Sequence, residues 1–529
     1  MYSGKTVHIP FGLGSLQTDD KQSDIPPNNP IICENVTFAH GFAEKDFGSM
    51  RWNSVALPSG VVRFIDWWPN FTFQRMIVCC KNGKTYRFTD KANQAELTPE
   101  DDSPETLTFG KIPSMVEGGN EIAGNNKKLF ILSGNNPIQV VDGDATTRRD
   151  IENPATDWSG QNQPTFAIQH RNRIFAFGNA NNPHAVYASS ASDHEDYQSN
   201  SLLLSAFPGE GQKLVSAGLF KGRLFFFKYP YGVYYLEDSD PDSDNWFIAK
   251  LSDAFGIASA NSSIGVLDDY LVANSSGSIT SLNATNAFGD IQQGDLMFRL
   301  RNKQYLNDNI APLGNDERQA LFYEARSLAM FTYRSKGGIR NDRILMIDYS
   351  NPSVVRTSWN TYAQPNCLGT RRDIFGIPRP FYGADDGYMY EMERPDRELN
   401  GSGYNMVFQT PQMDFGFIDP TIADQVKLFQ FLEVVAVPTG NWNLTVDVFI
   451  DNKYSETLTY SMGQQNPLDL FVLDTDRLGG AAGFPYRKPL HGSGRRISFR
   501  MYNSGYKQNI KLAGINVGIK PSAQQQKTK

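Results

Sequence analysis

Cysteine and histidine are scarce in this chain, and none of them is spaced like a metal site. The 529 residues include four cysteines and six histidines, without a CxxC, HxxxH or HExxH pattern. Structural zinc sites need such ligands at short spacings, so we predict neither a zinc site nor any other cofactor. Cys79 and Cys80 are adjacent in a β-rich run. Because neighbouring strand residues point to opposite faces, their thiols should lie on opposite sides of one sheet.

Long apolar runs and helical periodicity are also nearly absent. No stretch approaches the roughly 20 apolar residues that a membrane-spanning helix requires. The segment from Met1 to Gly14 lacks the basic and apolar regions of a signal peptide. We therefore expect no membrane span and synthesis in the cytosol. Asp316 to Ala329 is the one candidate helix. The 45 glycines and the 12 % of aromatic residues are instead typical of an all-β protein.

A sequence pattern typical of a β-hairpin recurs at regular intervals along most of the chain. Its clearest copy is Leu224–Lys228 followed by Val233–Glu237, two β-rich runs joined by a turn that contains Pro230 and Gly232. Further copies begin at residues 76, 129, 174, 271, 328 and 381, so that successive copies are 45 to 57 residues apart. Repeats of this length made of short strands indicate a β-propeller.

We predict about seven blades, with six to eight possible, over residues 56–404. Each small sheet must stack on its neighbours to bury both faces, and each hairpin should supply the middle strands of one blade. Phe226 should then face the core between two sheets. The alternative is a β-rich chain with hairpins at irregular intervals, which the regular spacing across more than 300 residues disfavours.

Both ends of the chain lie outside the repeat. Residues 1–55 include the stiff extended segment Ile25–Pro30, and we predict an N-terminal arm that wraps its own domain or reaches a neighbour. Residues 405–519 contain longer, strictly alternating strands such as Leu444–Ile450, which predict a β-sandwich of jelly-roll type. Residues 520–529 are polar and are predicted to form a flexible tail.

Charge is distributed unevenly along the chain. The net charge is −7, yet residues 478–529 contain ten Lys or Arg and no Asp or Glu, which leaves −17 for residues 1–477. This division into an acidic body (1–477) and a basic end (478–529) affects which partners the protein attracts and how soluble it is. Candidate contacts for an acidic partner are Arg495, Arg496, Lys507 and Lys511. The alternative is that these residues form an ordinary solvated strand face.

No group of residues in the sequence indicates a catalytic site. The acidic run from Asp238 to Trp246 lacks the turn Gly and final Glu of a calcium-binding EF-hand, and Pro241 interrupts it, so we predict a solvated loop between blades. Paired carboxylates, a Walker loop and a G-x-S-x-G elbow cannot be picked out. Of the adjacent Trp67 and Trp68, at most one should be exposed. We therefore predict a protein that is not an enzyme.

Four pairs of short sequence motifs resemble those of a known family. They are Cys33–Val36 ahead of Gly48–Arg51, Ala185–Ser189 ahead of Asp193–Tyr197, Phe255–Ile257 ahead of Ser262–Ser263, and Asp414–Gly416 ahead of Lys427–Phe429. Together they resemble the tail-nozzle proteins of short-tailed bacteriophages, the packaged-DNA stabilization or tail-tubular class. The motifs are spread over most of the chain.

The resemblance implies a structural protein of the virion tail, assembled in the host cytoplasm as a hexameric ring. The ring would extend the portal and adaptor channel, retain packaged double-stranded DNA and conduct it during ejection. Its further partners would be tail fibres, spikes or a distal plug. The resemblance implies no catalytic residues and no cofactor. If the acidic body lines the DNA path, its carboxylates should repel phosphate and keep the duplex from sticking.

Two other interpretations remain open. A propeller-type glycosidase or carbohydrate-binding protein could act on surface polysaccharide, and a cytosolic scaffold propeller is a third possibility. An assembly of about six copies would favour the nozzle, whereas a monomer that cleaves sugars would favour the enzyme.

Overall fold

The computed structural model describes residues 4–521 apart from residues 13, 39–40, 71–72, 101–102, 110–111, 120–126, 210, 285–293, 312–317, 351–354, 362–363, 438 and 463–484. Within these ranges the protein is all-β. Its short helices include α1 (Leu296–Arg299) and α2 (Lys303–Asn309). The N-terminal segment contributes five short strands, which are β1 (Lys5–Pro10), β2 (Ile32–Glu34), β3 (Val36–Thr37), β4 (Ala43–Lys45) and β5 (Gly48–Arg51).

Four antiparallel four-stranded blades follow this segment. Blade 1 consists of β6 (Val61–Asn70), β7 (Phe73–Cys80), β8 (Thr85–Phe88) and β9 (Gln94–Glu96). Blade 2, with β10 (Thr98–Pro99) at its outer edge, consists of β11 (Ser114–Gly119), β12 (Lys127–Leu132), β13 (Gln139–Asp142) and β14 (Thr147–Asp150). Blade 3 consists of β15 (Phe166–His170), β16 (Arg173–Phe177), β17 (Ala185–Ala188) and β18 (Leu202–Ser205). Blade 4 consists of β19 (Lys213–Phe220), β20 (Arg223–Tyr229), β21 (Val233–Glu237) and β22 (Phe247–Ser252).

A smaller sheet and two more blades complete the propeller. The smaller sheet has three strands, β23 (Ser263–Val266), β24 (Asp269–Ala273) and β25 (Ile279–Ser281). Blade 5 consists of β26 (Ala320–Tyr323), β27 (Leu328–Tyr333), β28 (Arg343–Asp348) and β29 (Arg356–Thr361). Blade 6 consists of β30 (Cys367–Arg372), β31 (Pro378–Gly383), β32 (Met389–Arg394) and the N-terminal strand β5.

The innermost strands of these sheets contact one another in a closed circle. The order is β6, β11, β15, β19, β23, β26 and β30, and β30 packs against β6 again. The propeller prediction is confirmed, with six complete blades and the three-stranded sheet between blades 4 and 5. All seven hairpin copies found in the sequence begin in the second strand of their sheet. The regular spacing of the hairpins in the sequence therefore corresponds to one structural unit that is repeated around an axis.

Apolar side chains fill the space between neighbouring blades, as a propeller requires. Phe226 of β20 is fully buried, and its ring packs edge-on against Phe177 of blade 3 with 5.7 Å between centroids. Cys79 packs among residues between blades 1 and 2, whereas Cys80 packs toward blade 6. Trp67 is buried and Trp68 is half-buried. The sequence predictions for these side chains are confirmed.

The C-terminal strands form two further sheets together with strands from the N-terminal segment. They are β33 (Met406–Gln409), β34 (Lys427–Val437), β35 (Asn443–Ile450), β36 (Lys453–Ser461), β37 (Pro485–Pro489), β38 (Ser493–Gly494), β39 (Ile497–Asn503) and β40 (Lys511–Pro521). In one sheet, β40 pairs with β1, β4 and β34. The other sheet is an extension of blade 5, in which β29 pairs in parallel with β2, and β33, β39, β35 and β36 follow.

Buried residues of these two sheets, such as Val434 and Val446, belong to one apolar cluster, which also includes Val7 and Ile9 of β1. The jelly-roll sandwich and the domain limits stay predictions. The arm predicted at 1–55 is distributed over three sheets of its own chain. The tail predicted at 520–529 lies outside the described residues from 522 onward.

Two sequence predictions are wrong. The candidate helix at Asp316–Ala329 is instead strand β26, a 3₁₀ turn at Glu324–Arg326 and the start of β27, while residues 312–317 are not described. Pairing with β27 overrides the helix propensity of this segment, because Leu321 and Tyr323 are buried at alternate positions. The acidic run at Asp238–Trp246 is a loop within blade 4, between β21 and β22, and not a loop between blades.

Candidate interaction surfaces

Arg495 and Arg496 lie in the turn that precedes β39. Their backbone N–H groups donate to the Asp451 carboxylate at the tip of the β35–β36 hairpin, at 3.0 and 2.9 Å. This carboxylate fixes the backbone of the turn, while the Arg495 side chain is exposed and that of Arg496 is half-buried. The pair therefore presents two guanidinium groups from an ordered turn.

Lys507 and Lys511 lie at the other end of β39 and pair with acids of their own chain. The Lys507 ammonium is 3.7 Å from a Glu398 carboxylate oxygen, and that of Lys511 is 3.3 Å from Glu44. Strand β39 has seven residues, which corresponds to about 23 Å. The four basic residues selected from the sequence therefore form two separate pairs and not one patch.

Lys511 belongs to a buried ionic cluster that the sequence did not reveal. Glu44 of β4 accepts from the Arg397 guanidinium and, at 2.9 Å, from the Asn509 amide. Arg397 also stacks on the Phe47 ring, 3.9 Å from its centroid. Glu44 and Arg397 are both buried. The cluster thus joins the N-terminal segment to the loop after blade 6 and to the C-terminal strands.

A second group of charges continues this cluster toward blade 5. Arg326, from the turn between β26 and β27, pairs with Glu393 of blade 6, and its guanidinium lies 3.7 Å from Asp46. The Arg326 guanidinium packs over the Phe47 ring, as that of Arg397 does, 4.4 Å from the ring centroid. Since both carboxylates are buried, the pairing compensates part of their desolvation cost.

Burial within the cluster moves two pKa values toward neutrality. Burial and the Asp46 carboxylate raise the pKa of Glu393 to about 7, although Arg326 opposes the shift. Burial lowers the pKa of Lys45 to about 8, and Arg397 lowers it further. The Lys45 ammonium donates to Asn503 Oδ1 at 3.2 Å and to the Gly505 carbonyl at 2.8 Å.

A set of large apolar side chains is exposed on the propeller. Each of these side chains lies in or beside a hairpin that joins the first and second strands of its sheet. Ile374 and Phe375, at the tip of the β30–β31 hairpin, are 93 % and 80 % exposed. Leu267, in the β23–β24 turn, is 67 % exposed, and Phe73 and Leu219 are also exposed beside their turns. Single exposed apolar residues are ordinary, whereas contiguous ones mark contact sites, so the adjacent Ile374 and Phe375 are the candidate contact surface.

The β30–β31 hairpin holds its apolar tip in a fixed conformation. Asp373 Oδ1 accepts from the backbone N–H groups of Phe375 and Ile377 at 2.9 and 3.0 Å. Its other oxygen accepts from Arg379 Nε at 3.2 Å. Gly376 has a φ of +78°, which an L side chain rarely adopts. The tip is therefore preorganised for a contact.

A groove of about 750 Å³ runs along the outer part of blade 3. Asp157 accepts there from the Tyr187 hydroxyl and, at 2.6 Å, from the Asn182 amide. Burial and the Asp157 carboxylate raise the pKa of Tyr187 to about 12. Leu203, 69 % exposed, lies on the edge strand of the groove. The described lining thus combines two tyrosine rings, amides and one carboxylate.

Among the residues that the structure describes, no group of His, Cys, Asp and Glu side chains could hold a metal ion. In the same part of the chain, no helix is long and apolar enough to cross a membrane.

Sequence reasoning missed the buried cluster because its charges look solvated locally. Glu44, Lys45 and Asp46 form a run of three charges, which usually indicates a surface segment. The flanking Phe42 and Phe47 are the one local signal of burial. The exposed Ile374 and Phe375 could have been found as apolar residues inside the turn-forming segment Asp373–Gly376.

No known protein family matches this chain, and no curated protein matches its sequence. Among solved structures, the chain is similar to the computationally designed Ika8 protein, with 12 % identity, 72 % of this chain and 99 % of that chain covered, and a TM-score of 0.37. It is also similar to YCF48 bound to a D1 peptide, with 10 % identity, coverage of 65 % and 94 %, and a TM-score of 0.38.

A third similar structure is the extracellular domain of a hybrid two-component system from B. thetaiotaomicron. The identity is 11 %, the match covers 79 % of this chain and 47 % of that chain, and the TM-score is 0.39. All three TM-scores lie below 0.5, so the propeller assignment rests on the sheets themselves.

Proposed function

We propose that this protein is a structural subunit of a short-tailed bacteriophage virion, which assembles into a ring-shaped tail nozzle. In this role it extends the portal and adaptor channel, retains packaged DNA and conducts the DNA during ejection. The proposal starts from the resemblance of the four pairs of sequence motifs. The observation that carries it structurally is the continuous sheet from blade 5 through β2 to β36.

This sheet supports the proposal because a channel subunit must hold its contacts at fixed positions. Backbone pairing of β29 with β2 and of β32 with β5 joins the propeller to the N-terminal and C-terminal strands at two places. Two acids of the ionic cluster, Glu44 and Asp46, lie between β2 and β5 along the chain and pair with Arg397 and Arg326. The propeller face with its apolar hairpin tip is thereby held rigidly relative to the C-terminal sheets.

We further propose that the apolar tip of the β30–β31 hairpin contacts the neighbouring copy in the ring. A ring closes when one surface of a subunit binds a different surface of the next. A fixed apolar tip suits this arrangement, since binding loses little conformational freedom. Arg495 and Arg496 remain the proposed contact for an acidic neighbour in the tail, such as an adaptor, fibre or plug protein.

Native mass spectrometry and negative-stain imaging of the purified protein test the ring. We expect closed rings, hexamers in the nozzle interpretation, and a monomer for the double variant Ile374→Ser/Phe375→Ser. Leu203→Ser, which removes another exposed apolar side chain, from the groove of blade 3, should leave the ring intact. A wild-type protein that stays monomeric at all accessible concentrations would contradict the proposal.

Carbohydrate binding is the second candidate, and the groove on blade 3 is the observation that favours it. Tyr187, Asn182 and Asp157 offer a ring face and polar groups that suit a sugar. Its described lining supplies one carboxylate, whereas glycosidases use two, which favours binding over hydrolysis. Binding of surface polysaccharide by the wild type that Asn182→Ala weakens would support this candidate.

A further inference from the structure

A partly open cavity, lined by both polar and apolar side chains, lies between the innermost strands of the propeller. Its volume is about 330 Å³, and residues from six of the seven innermost strands line it. This volume lies at the lower end of the roughly 300–1,000 Å³ typical of small-molecule sites. Neither the ring nor the groove on blade 3 involves this cavity.

Arg63 of β6 brings a positive charge to the cavity without a carboxylate to balance it. Its Nη1 donates to Gln319 Oε1 at 3.2 Å, a bond that links blade 1 to the start of blade 5. Its Nε has no acceptor, and no carboxylate pairs with Arg63 among the described residues. Burial lowers the pKa of this guanidinium. Arg63 is half-buried and its Nε atom is buried, and a charge withdrawn from water without a counter-charge is costly.

Two amide donors next to Arg63 also lack acceptors. Gln319 lies directly behind the lining residue Ala320 and is 1 % exposed; its Oε1 accepts from Arg63, and its Nε2 has no acceptor. Asn261 lines the cavity, and its Nδ2 has no acceptor either. The two residues are neighbours, since they form a backbone bridge and Ala320 N donates to the Asn261 carbonyl at 2.7 Å.

The acid that faces the cavity is already engaged. Asp66 accepts from Trp68 Nε1 at 3.3 Å, from Gln74 Nε2 at 2.7 Å and from the Arg372 backbone N–H at 2.9 Å. Its carboxylate therefore has little capacity left for Arg63. Buried donors without acceptors usually indicate a water or an ion that satisfies them.

We propose that this cavity binds a small oxyanion, with Arg63 as its charge partner and the amides of Asn261 and Gln319 as further donors. The guanidinium fork matches the paired oxygens of phosphate, sulfate or a carboxylate. The same donors would hold a free anion or the anionic group of a small metabolite.

Binding of inorganic phosphate to the full chain tests the site. Calorimetry and thermal unfolding are measured with phosphate, with sulfate and with acetate, against chloride at equal ionic strength. We expect an oxyanion to bind and to raise the unfolding midpoint where chloride does not. If phosphate or sulfate raises the midpoint most, the site prefers tetrahedral oxyanions, and if acetate does, it prefers carboxylates.

Gln319→Glu is the decisive variant, because it supplies Arg63 with an internal carboxylate of nearly the same shape. The variant should fold with an unchanged or higher thermal unfolding midpoint. It should bind the anion at least about tenfold more weakly, because one charge-assisted contact is lost. Arg223→Met, which removes an exposed arginine from β20, should bind like the wild type.

A selenate soak of crystals of the protein locates the ion by its anomalous signal. A peak within hydrogen-bond distance of Arg63 is expected in the wild type and not in Gln319→Glu. Wild-type affinity in Gln319→Glu, or selenate absent from the cavity at a concentration that saturates binding in solution, would overturn the proposal.

Discussion

Glu393 is buried beside Arg326 and Asp46, and its protonation is therefore coupled to folding. The folded state raises the pKa of this carboxyl from 4.5 to about 7, first through burial and then through the Asp46 charge. A raised folded-state pKa means that the native protein binds the proton more tightly than the unfolded chain does. The resulting stabilisation is complete below pH 4.5 and is lost as the pH rises through about 7.

Glu393→Gln removes this titration, and the pH dependence of its effect is the first prediction. The free energy of unfolding of the wild type, relative to the variant, should fall between pH 5 and pH 8 by up to about 3 kcal/mol. Lys45, with its pKa lowered to about 8, titrates at the upper edge of this window in wild type and variant alike, so the difference between the two reports mainly on Glu393. Urea unfolding across the pH range measures the difference. Glu391→Gln, on the same strand, is the control for a lost charge, and a wild-type-minus-variant difference that is independent of pH would contradict the prediction.

Single residues differ in how far the sequence could predict them. Phe226 and the pair Cys79/Cys80 follow from strand alternation, which needs just the neighbouring residues. The burial of Glu44 depends on Arg397 and Lys511, which are hundreds of positions away along the chain. No local pattern contains that pairing, so the charged run around Glu44 looks like a surface segment until the fold is known.

At the level of the strands, blade 6 is completed by β5 from the other end of the chain. Met50 pairs with Glu391, and Ser49 N donates to the Glu398 carbonyl at 2.8 Å. Gly48 makes this close approach possible. A Cβ on Gly48 would lie 2.2 Å from the Glu398 carbonyl oxygen and 2.5 Å from its nitrogen. Both contacts are with backbone atoms, which cannot move aside without disturbing the closure of the propeller.

Gly48→Ala should therefore lower the free energy of unfolding, and this is the second prediction. Overpacking against backbone costs about 1–3 kcal/mol, which exceeds the gain of up to about 1 kcal/mol that alanine gives by restricting the unfolded chain. Gly265→Ala is the matched control, because the nearest atom to its Cβ is a Tyr270 ring carbon at 3.8 Å. Denaturant unfolding of both variants measures the effect, and equal stabilities would show that β5 tolerates the added methyl group.

The hairpins of the propeller were predictable, whereas the pairings that join its ends were not. Each hairpin is contiguous in sequence, with a turn such as Lys221–Gly222, where both residues have positive φ. Strands β2 and β5 have three and four residues and pair with partners more than 300 positions away. Strands this short carry too few residues for alternation to identify a partner.

For the molecule as a whole, the chain ends connect the propeller with the C-terminal sheets. Strand β1 pairs with β40, β2 lies between β29 and β33, and β5 completes blade 6. The repeat predicted the propeller, and the lengthened strands predicted further β-structure after it. The division of the C-terminal strands between two sheets could not be predicted, since it depends on where the N-terminal segment inserts.

The net charge leads to the third prediction, which concerns double-stranded DNA. Proteins that bind duplex DNA without sequence preference do so through many lysine and arginine contacts with phosphate, which makes binding steeply dependent on salt. Residues 1–477 carry −17, and Lys507 and Lys511 are paired with acids of the chain. The acidic body should therefore repel a duplex.

We expect no binding of a duplex of about 30 base pairs at protein concentrations up to about 100 µM in low salt, as measured by fluorescence anisotropy. The double variant Arg495→Glu/Arg496→Glu separates the basic turn from the body. Weak binding that the variant abolishes would come from the exposed turn and would leave the prediction for the body intact. Binding that persists in the variant and weakens steeply with added salt would contradict it, because the body itself would then hold DNA instead of letting it pass.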